Sequence, residues 1–173
     1  QKLLSANSDL KLVTLMYVNN EIGNILDINK VSDLCRNNNS LFHTDAVQAV
    51  GHFKIDLKET QIDFLSAAGH KFHGPKGVGF SFIRKTSRLS PFICGGPQER
   101  GLRAGTESVH NIVGMTKALE VSYDKINEET EYITSIKEYT INELKSIFPK
   151  IHFNGLSGNL EKSTYTILNV CFP

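Results

Sequence analysis

The sequence lacks the features that would place the protein in a membrane, on nucleic acid or in an oxidising compartment. Its net charge is only +1, with both signs mixed, which argues against nucleic acid or an anionic membrane surface as the main partner. No apolar run approaches the roughly 20 residues of a membrane-spanning helix, and no signal-peptide pattern opens the chain. The three cysteines never form a C-x-x-C pair, which favours a reduced, cytoplasmic setting. With 40% apolar and 21% charged residues, the composition indicates a soluble, globular protein.

Two common ligand-binding patterns are missing as well. The GPKG segment at residues 74–77 is not a phosphate-binding P-loop, because the pattern G-x-x-x-x-G-K-[ST] is absent. We expect surface or core roles, and no metal site, for histidines that show no metal-ligand spacing: His43, His52, His73, His110 and His152. We expect Cys35, on the apolar stripe of a helix, to be buried.

Hydrophobic periodicity predicts an α/β fold for the first half of the chain. Buried strands are predicted at residues 11–18, 40–43, 63–68 and 78–83. Asp27 is placed to cap a helix that the asparagines at 37–39 end. Strand, helix and strand at this spacing are typical of a parallel, doubly wound sheet.

The sequence of the second half of the chain predicts a loop, a long helix and a final strand. Residues 94–106 have no periodicity and are interpreted as an ordered loop. A helix is predicted at about residues 108–148, ended by Pro149, with an apolar stripe. The stripe consists of Leu119, Ile126, Ile133, Ile136, Leu144 and Ile147. A strand at 165–170 is placed in a second domain, so that residues 1–126 form a large domain and 127–173 the start of a small one.

Polar residues collect where the predicted strands end, which is where ligands bind in open α/β sheets. Asn20 follows the first strand, Asp45 and Gln48 the second, and His70 with Lys71 the third. Taken singly, an aspartate there is usually a turn former and a loop lysine is a solvated charge. Together, a lysine that forms Schiff bases, an aspartate for a pyridinium nitrogen and amide donors for a phosphate describe pyridoxal 5′-phosphate (PLP).

Four motifs resemble a known family. The segments VNNEIG (18–23), HTDAVQAVG (43–51) and GHKFHGPKGVG (69–79) are similar to class V aminotransferase enzymes, and GGPQERGLRAGT (95–106) resembles the NifS/IscS-like cysteine desulfurases. The resemblance implies the PLP-dependent transferase fold type I. Its elements would be the mostly parallel sheet of the large domain, a long helix and the start of a small C-terminal α/β domain.

The resemblance also implies a role for each residue near the cofactor ring. Lys71 matches the lysine that forms the Schiff base with PLP, and Asp45 matches the residue paired with the pyridinium nitrogen. Gln48 matches the donor to the phenolic oxygen of the ring. Asn20 matches a neighbouring contact with cofactor and substrate.

The phosphate-side residues follow from the same resemblance. His70 matches a phosphate-side ligand, and Ala68 and Gly69 belong to the same cofactor-binding segment. Ala68 stands where many members have a phosphate-binding serine, so one hydrogen bond should be missing, while its backbone N–H is left to contribute. Thr106 matches a threonine that reaches the phosphate of the partner subunit's PLP, which implies a homodimer. Pro97 replaces a glycine usual in the family, which stiffens that loop.

The activity implied by the resemblance is removal of sulfur from L-cysteine. The products would be L-alanine and an enzyme persulfide that serves iron–sulfur cluster or thiocofactor assembly through a sulfur-acceptor or scaffold protein. Two alternatives stay open: a selenocysteine lyase or other class V PLP enzyme, and a non-catalytic fragment or binding subunit. The chain has no initiator methionine, and the family's catalytic cysteine and substrate-carboxylate arginine would lie beyond residue 173. We therefore expect this fragment alone to be inactive.

Overall fold

A four-stranded mixed sheet and one long helix organise the molecule. The computed structural model describes residues 3–4, 9–87 and 89–172. The elements follow in the order β1 (Lys11–Met16), α1 (Ile28–Asn37), β2 (Ser40–Asp45), β3 (Phe64–Ala68), β4 (Gly79–Ile83), α2 (Val109–Ile147), β5 (His152–Phe153) and β6 (Val170–Cys171). Strands β1, β2 and β3 are parallel neighbours, and β4 joins β3 antiparallel. The predicted mostly parallel α/β sheet is confirmed, with one antiparallel edge strand.

The two faces of the sheet differ in polarity because successive side chains of a strand point to opposite sides. Phe42 and Thr44 of β2 are fully buried, and Leu65 and Ala67 of β3 continue the same buried face. This face joins the hydrophobic core, to which α1 contributes Ile28 and Cys35 and α2 contributes Met115. The opposite face carries His43, Asp45 and Ser66, and it leads to the strand ends where the predicted site residues begin.

Helix α1 begins and ends at local sequence signals, as predicted. The Asp27 side chain caps its first turn by accepting a hydrogen bond from the Lys30 N–H at 3.0 Å. At the other end the Asn38 side chain donates to the Leu34 carbonyl at 2.8 Å, and Asn39 takes a left-handed φ of 48°. Cys35 is buried on the inner face of the helix, which confirms its predicted position.

Helix α2 runs for 39 residues and confirms the long helix predicted at 108–148. Its buried residues lie on one face: Met115, Ser122, Ile126, Lys137 and Ile141. The predicted apolar stripe is only partly right, because Ile136 and Ile147 are exposed and Lys137 is buried instead. The helix passes through residue 126 without a break, and the domain boundary at 126/127 stays a prediction. In the described part of the chain, no helix is long and apolar enough to cross a membrane.

The predicted strand at residues 165–170 is wrong over most of its length. Only Val170 and Cys171 pair, as β6, with β5. The preceding residues form turns and irregular backbone whose polar groups bond to distant parts of the chain. Within the segment, the Asn169 side chain donates to the Glu21 carbonyl at 3.0 Å, and just before it the Thr164 N–H donates to the Gly23 carbonyl at 2.8 Å. These tertiary contacts override the β propensity of the segment.

Candidate active site

Asp45 is the last residue of β2 and lies between two neighbouring strands. It is in register with Met16 of β1 and Ser66 of β3. Its backbone carbonyl accepts from the Tyr17 N–H at 2.9 Å, and its Oδ1 accepts from the Val47 N–H at 2.9 Å. One carboxylate oxygen therefore shapes the turn that follows the strand. Among the described residues, Oδ2 has no hydrogen-bond donor, so it is available to a ligand.

Gln48 lies in the turn that Asp45 starts. Its side chain is half-buried, and no hydrogen bond within the described part of the chain engages its amide. The turn is tight, since the Val50 N–H donates to the Ala46 carbonyl at 2.9 Å. Gln48 therefore lies close to the end of β2, and its role at the cofactor stays a prediction.

Lys71 lies in a single 3₁₀ turn, Gly69–Phe72, directly after β3. His73 closes the turn with a left-handed φ of 66°, and the Gly74 N–H donates to the Gly69 carbonyl at 2.9 Å. A Cβ on Gly74 would lie 2.9 Å from that carbonyl oxygen, so the close approach requires glycine. Lys71 is half-buried as a residue, and within the described residues no hydrogen bond or ion pair engages its ammonium group.

The backbone of the Lys71 turn is held from two sides. His52 Nε2 lies 3.1 Å from the Lys71 carbonyl oxygen, and Ser122 of α2 donates to the Phe72 carbonyl at 3.4 Å. Gly51 packs so closely on Phe72 that a Cβ would lie 2.5 Å from the phenylalanine Cβ. The turn after β2 and helix α2 thus fix the position from which the Lys71 side chain extends.

His52 is a functional candidate that the sequence alone did not reveal. A carbonyl oxygen only accepts, so His52 Nε2 carries the proton and donates to Lys71. Its Nδ1, 3.1 Å from the Tyr165 hydroxyl, then accepts from that group in the neutral ring. Burial lowers the pKa of His52, which favours the neutral form. The partners are 19 and 113 residues away, so no local pattern signals the contact.

A row of polar side chains crosses the sheet on the face that carries Asp45. His43 Nδ1 lies 2.6 Å from the Thr14 hydroxyl, and Nε2 lies 3.0 Å from the Ser66 hydroxyl. Both ring nitrogens therefore have partners, which agrees with a satisfied structural histidine. Groups of His, Cys, Asp and Glu that could hold a metal ion are absent from the residues that the structure describes.

Asn20 lies in the turn that follows β1. The Asn19 side chain accepts from the Glu21 and Ile22 N–H groups, both at 2.9 Å, and so fixes this turn. Asn20 itself is exposed, and its side-chain amide donates only to Glu21 Oε1, at 3.2 Å, within the described chain. Because β1 and β2 are parallel neighbours, the turn lies beside the end of β2 that carries Asp45.

The predicted phosphate-side residues surround the start of the Lys71 turn. Ala68 ends β3 and is half-buried, Gly69 is buried and His70 is exposed. The Gly69 N–H already donates to the Val78 carbonyl at 2.9 Å, so it is engaged within the fold. The Ala68 methyl offers no hydroxyl, as the sequence indicated.

Within the described chain, no hydrogen bond links Thr106 to the predicted site residues at the strand ends. It lies in the exposed loop before α2, where the Gly105 N–H donates to Gln98 Oε1 at 3.1 Å. Glu99 and Arg100 take left-handed φ values of 48° and 58° in the short turn Gln98–Gly101. The hydrogen bonds of residues 89–107, within the described chain, reach no further than the first turn of α2.

The functional groups at the strand ends fit pyridoxal phosphate. An amine without a partner in the described chain follows β3, and a carboxylate oxygen without a donor there ends the adjacent β2. A half-buried amide lies one turn further on. These are the groups needed to bind an aldehyde covalently, to face a pyridinium nitrogen and to donate to a phenolic oxygen.

Comparisons with known proteins agree with this geometry. The family model described as "Aminotransferase class-V" matches residues 2–172. The chain is similar to a cysteine desulfurase IscS of Buchnera aphidicola subsp. Baizongia pistaciae, with 46% identity over 93% of this chain and 39% of the relative. The chain therefore spans about two fifths of the length of that relative.

Solved structures share the fold. A NifS-like protein superimposes with a TM-score of 0.87 at 37% identity, covering 95% of this chain and 44% of the other. A structure described as "SspA in complex with cysteine" gives a TM-score of 0.73 at 33% identity, covering 94% and 44%. These likenesses confirm the predicted fold class, that of a PLP-dependent transferase. The chain belongs to the class V aminotransferase family.

Proposed function

We propose that the full-length protein is a PLP-dependent cysteine desulfurase that converts L-cysteine to L-alanine and transfers the sulfur to an enzyme thiol. The observation that carries the proposal is the placement of Asp45 at the end of β2 and of Lys71 in the turn after the adjacent β3. Nothing in the described chain engages the Lys71 amine or the Asp45 Oδ2. The relative named cysteine desulfurase and the neighbour described as being in complex with cysteine support the choice of substrate.

Each residue of the group has a defined role in this proposal. The Lys71 amine would hold the cofactor covalently, and as a free amine it would move the proton at the substrate Cα. The Asp45 Oδ2 would hold a proton on the ring nitrogen, while Oδ1 accepts from the Val47 N–H. When bound, PLP supplies an electron sink for the substrate carbon. Gln48 and Asn20 orient the ring and the substrate.

The sulfur transfer balances without an external oxidant. An enzyme thiolate attacks the sulfur of cysteine, the Cβ–S bond breaks, and the electron pair left on the carbon is protonated to give alanine. The products are alanine and a persulfide on the enzyme. None of the described cysteines is proposed as the attacking thiol. Cys35 is buried, and Cys94 and Cys171 do not match the family's nucleophile in the resemblance.

The test is substrate turnover by the full-length protein loaded with PLP. L-Cysteine is expected to give equal amounts of alanine and persulfide sulfur, and the Lys71→Ala variant neither. If L-selenocysteine is turned over and L-cysteine is not, the protein is a selenocysteine lyase. If neither reacts while PLP still binds, the protein is a non-catalytic member of the family. The intact mass of the natural polypeptide decides whether a further segment follows residue 173.

We also propose that the protein acts as a homodimer that delivers sulfur to an acceptor such as an iron–sulfur scaffold. The support is the exposed loop of residues 89–107, in which Phe92 is 97% exposed and Leu89 and Ile93 are 50% exposed. Apolar side chains exposed together are typical of an interaction surface. We propose a cytoplasmic location as well, which cell fractionation tests.

A further inference from the structure

Among the described residues, Lys137 is the only buried residue of the types Lys, Arg, Asp, Glu and His. Its exposure is 5%. It lies on the inner face of α2 with Ile126 and Ile141. Its Nζ donates to Ser163 Oγ at 2.8 Å and to the Thr164 carbonyl at 2.7 Å. Neither ion pair in the described part of the chain involves it, and burial lowers its pKa.

The segment that Lys137 holds is bonded to the turn that carries Asn20. The Thr164 N–H donates to the Gly23 carbonyl at 2.8 Å, and the Ile25 N–H donates to the Lys162 carbonyl at 3.1 Å. Asn24 and Ser163 form an antiparallel bridge between these two bonds. Side chains of the later segment also pack closely on the turn, since a Cβ on Gly23 would lie 3.2 Å from Ile167 Cβ.

Two further hydrogen bonds from residues after α2 hold the part of the turn that follows Asn20. The Asn169 side chain donates to the Glu21 carbonyl at 3.0 Å, and the Leu156 N–H donates to Asn24 Oδ1 at 2.7 Å. The turn after β1 is thus held from residues that follow α2 in the sequence. Its own closing bond, Gly23 N–H to the Asn19 carbonyl at 3.0 Å, is next to Asn20.

We infer that Lys137 is a positioning residue that fixes the Asn20 turn through Ser163 and Thr164. Three hydrogen bonds connect the two regions in series: the Lys137 ammonium donates to the Thr164 carbonyl, the Thr164 N–H donates to the Gly23 carbonyl, and the Gly23 N–H donates to the Asn19 carbonyl. Burying an ammonium without a carboxylate costs free energy, and a methionine would fill the same space without that cost. The amine therefore contributes its two hydrogen bonds. Their effect is to hold Thr164 in the position from which its N–H donates to the Gly23 carbonyl.

The consequence for the reaction rests on the proposed function, in which Asn20 contacts the substrate. If only a fraction of the molecules hold the turn in place, the apparent affinity for substrate is the intrinsic affinity multiplied by that fraction. Turnover at saturation is then retained. Loss of the Lys137 bonds should raise KM and leave kcat nearly unchanged.

The test uses Lys137→Met in the full-length protein, with Lys125→Met, exposed on the same helix, as the matched control. Hydrogen exchange at the Thr164 and Ile25 amides is expected to become about tenfold faster, as for loss of a hydrogen bond from a charged group. The Tyr17 and Ala46 amides at the strand ends should be unchanged. The KM for L-cysteine should rise about tenfold with kcat within about twofold.

Several outcomes overturn the inference. Faster exchange throughout the sheet would make Lys137 a residue of global stability. Unchanged exchange at Thr164 and Ile25 would remove the link altogether, and local loosening with an unchanged KM would remove the role in substrate positioning. The exchange measurement needs no activity, so it decides the link even if the protein is not a desulfurase. Should Lys137→Met fail to fold, Ser163→Ala removes one acceptor and is expected to give a smaller change at the same amides.

Discussion

The strand ends and the loop of residues 89–107 both carry predicted cofactor residues, but their backbones are held in different ways. At the strand ends, the Ala46 N–H donates to the Ser66 carbonyl and the Gly69 N–H to the Val78 carbonyl, both at 2.9 Å. The loop bonds to itself and to the first turn of α2 among the described residues, and it exposes Phe92 almost completely. The chain thus positions Lys71 and Asp45 by its own sheet, whereas the role proposed for Thr106 requires a surface outside this chain.

The largest effect on cofactor binding is expected from a substitution at the strand ends. Lys71→Ala should abolish covalent attachment of PLP, because no other amine follows β3 within the turn Gly69–Phe72. The fold should persist, since the turn is held through backbone carbonyls. Borohydride reduction and peptide mapping should label Lys71 in the wild-type protein, with Lys76→Ala as the control. A label on Lys76 would contradict the assignment.

Asp45→Asn separates the chemical role of Asp45 from its structural role. Asparagine keeps an oxygen for the Val47 N–H, so the turn should survive, but it cannot hold a proton on the ring nitrogen. We expect kcat to fall about a hundredfold or more, which corresponds to roughly 2.7 kcal/mol. PLP retention, measured by dialysis, should change much less. Near-normal alanine production would show that Asp45 is a turn former only.

Thr106→Val tests whether the loop serves a partner. Loss of a hydrogen bond to the phosphate should weaken PLP retention by about 1–3 kcal/mol, and Ala68 offers no hydroxyl to compensate. Thr86→Val, an exposed change without side-chain bonds in the described chain, is the control.

Mixed dimers then locate the donated hydroxyl. In a dimer of one Lys71→Ala subunit and one Thr106→Val subunit, shared sites predict one wild-type site and one that lacks both groups. The wild-type site should bind PLP with unaltered affinity. If every site in the mixed dimer is defective, Thr106 acts within its own chain and the two regions do not differ as proposed.

The smallest effect concerns His52, which links the Lys71 turn to Tyr165. Because burial lowers the pKa of His52 in the folded protein, the unfolded chain binds its proton more readily. The stability that neutral His52 contributes is present above the unfolded pKa and is lost as the pH falls through the folded pKa. Urea unfolding between about pH 7.5 and 5 should therefore show a flatter profile for His52→Gln than for wild type. The exposed His152→Gln should follow wild type, and identical profiles for all three would exclude this linkage.

The elements predicted well are those with local signals. Helix α1 was located because Asp27 caps it and Asn38 ends it, and both contacts span four residues or fewer. The order of strands and the residues at their ends followed from apolar runs and turn chemistry. The strand predicted at 165–170 was wrong over most of its length because Asn169, and Thr164 just before the segment, bond to Glu21 and Gly23, which no local pattern indicates.

By itself, the sequence determined the element order and the residue types at the strand ends, since hydrophobic period and capping act over a few residues. It also determined that a lysine follows β3 beside glycines that permit a tight turn. Only the tertiary structure decided that His52 holds the Lys71 carbonyl, and that Lys137 is buried and linked through Thr164 to the Asn20 turn. The physical reason is that burial and long-range hydrogen bonds depend on how sheet, helix and later segment pack. Leu156 and Asn24 meet across 132 residues, a contact that the packing alone brings about.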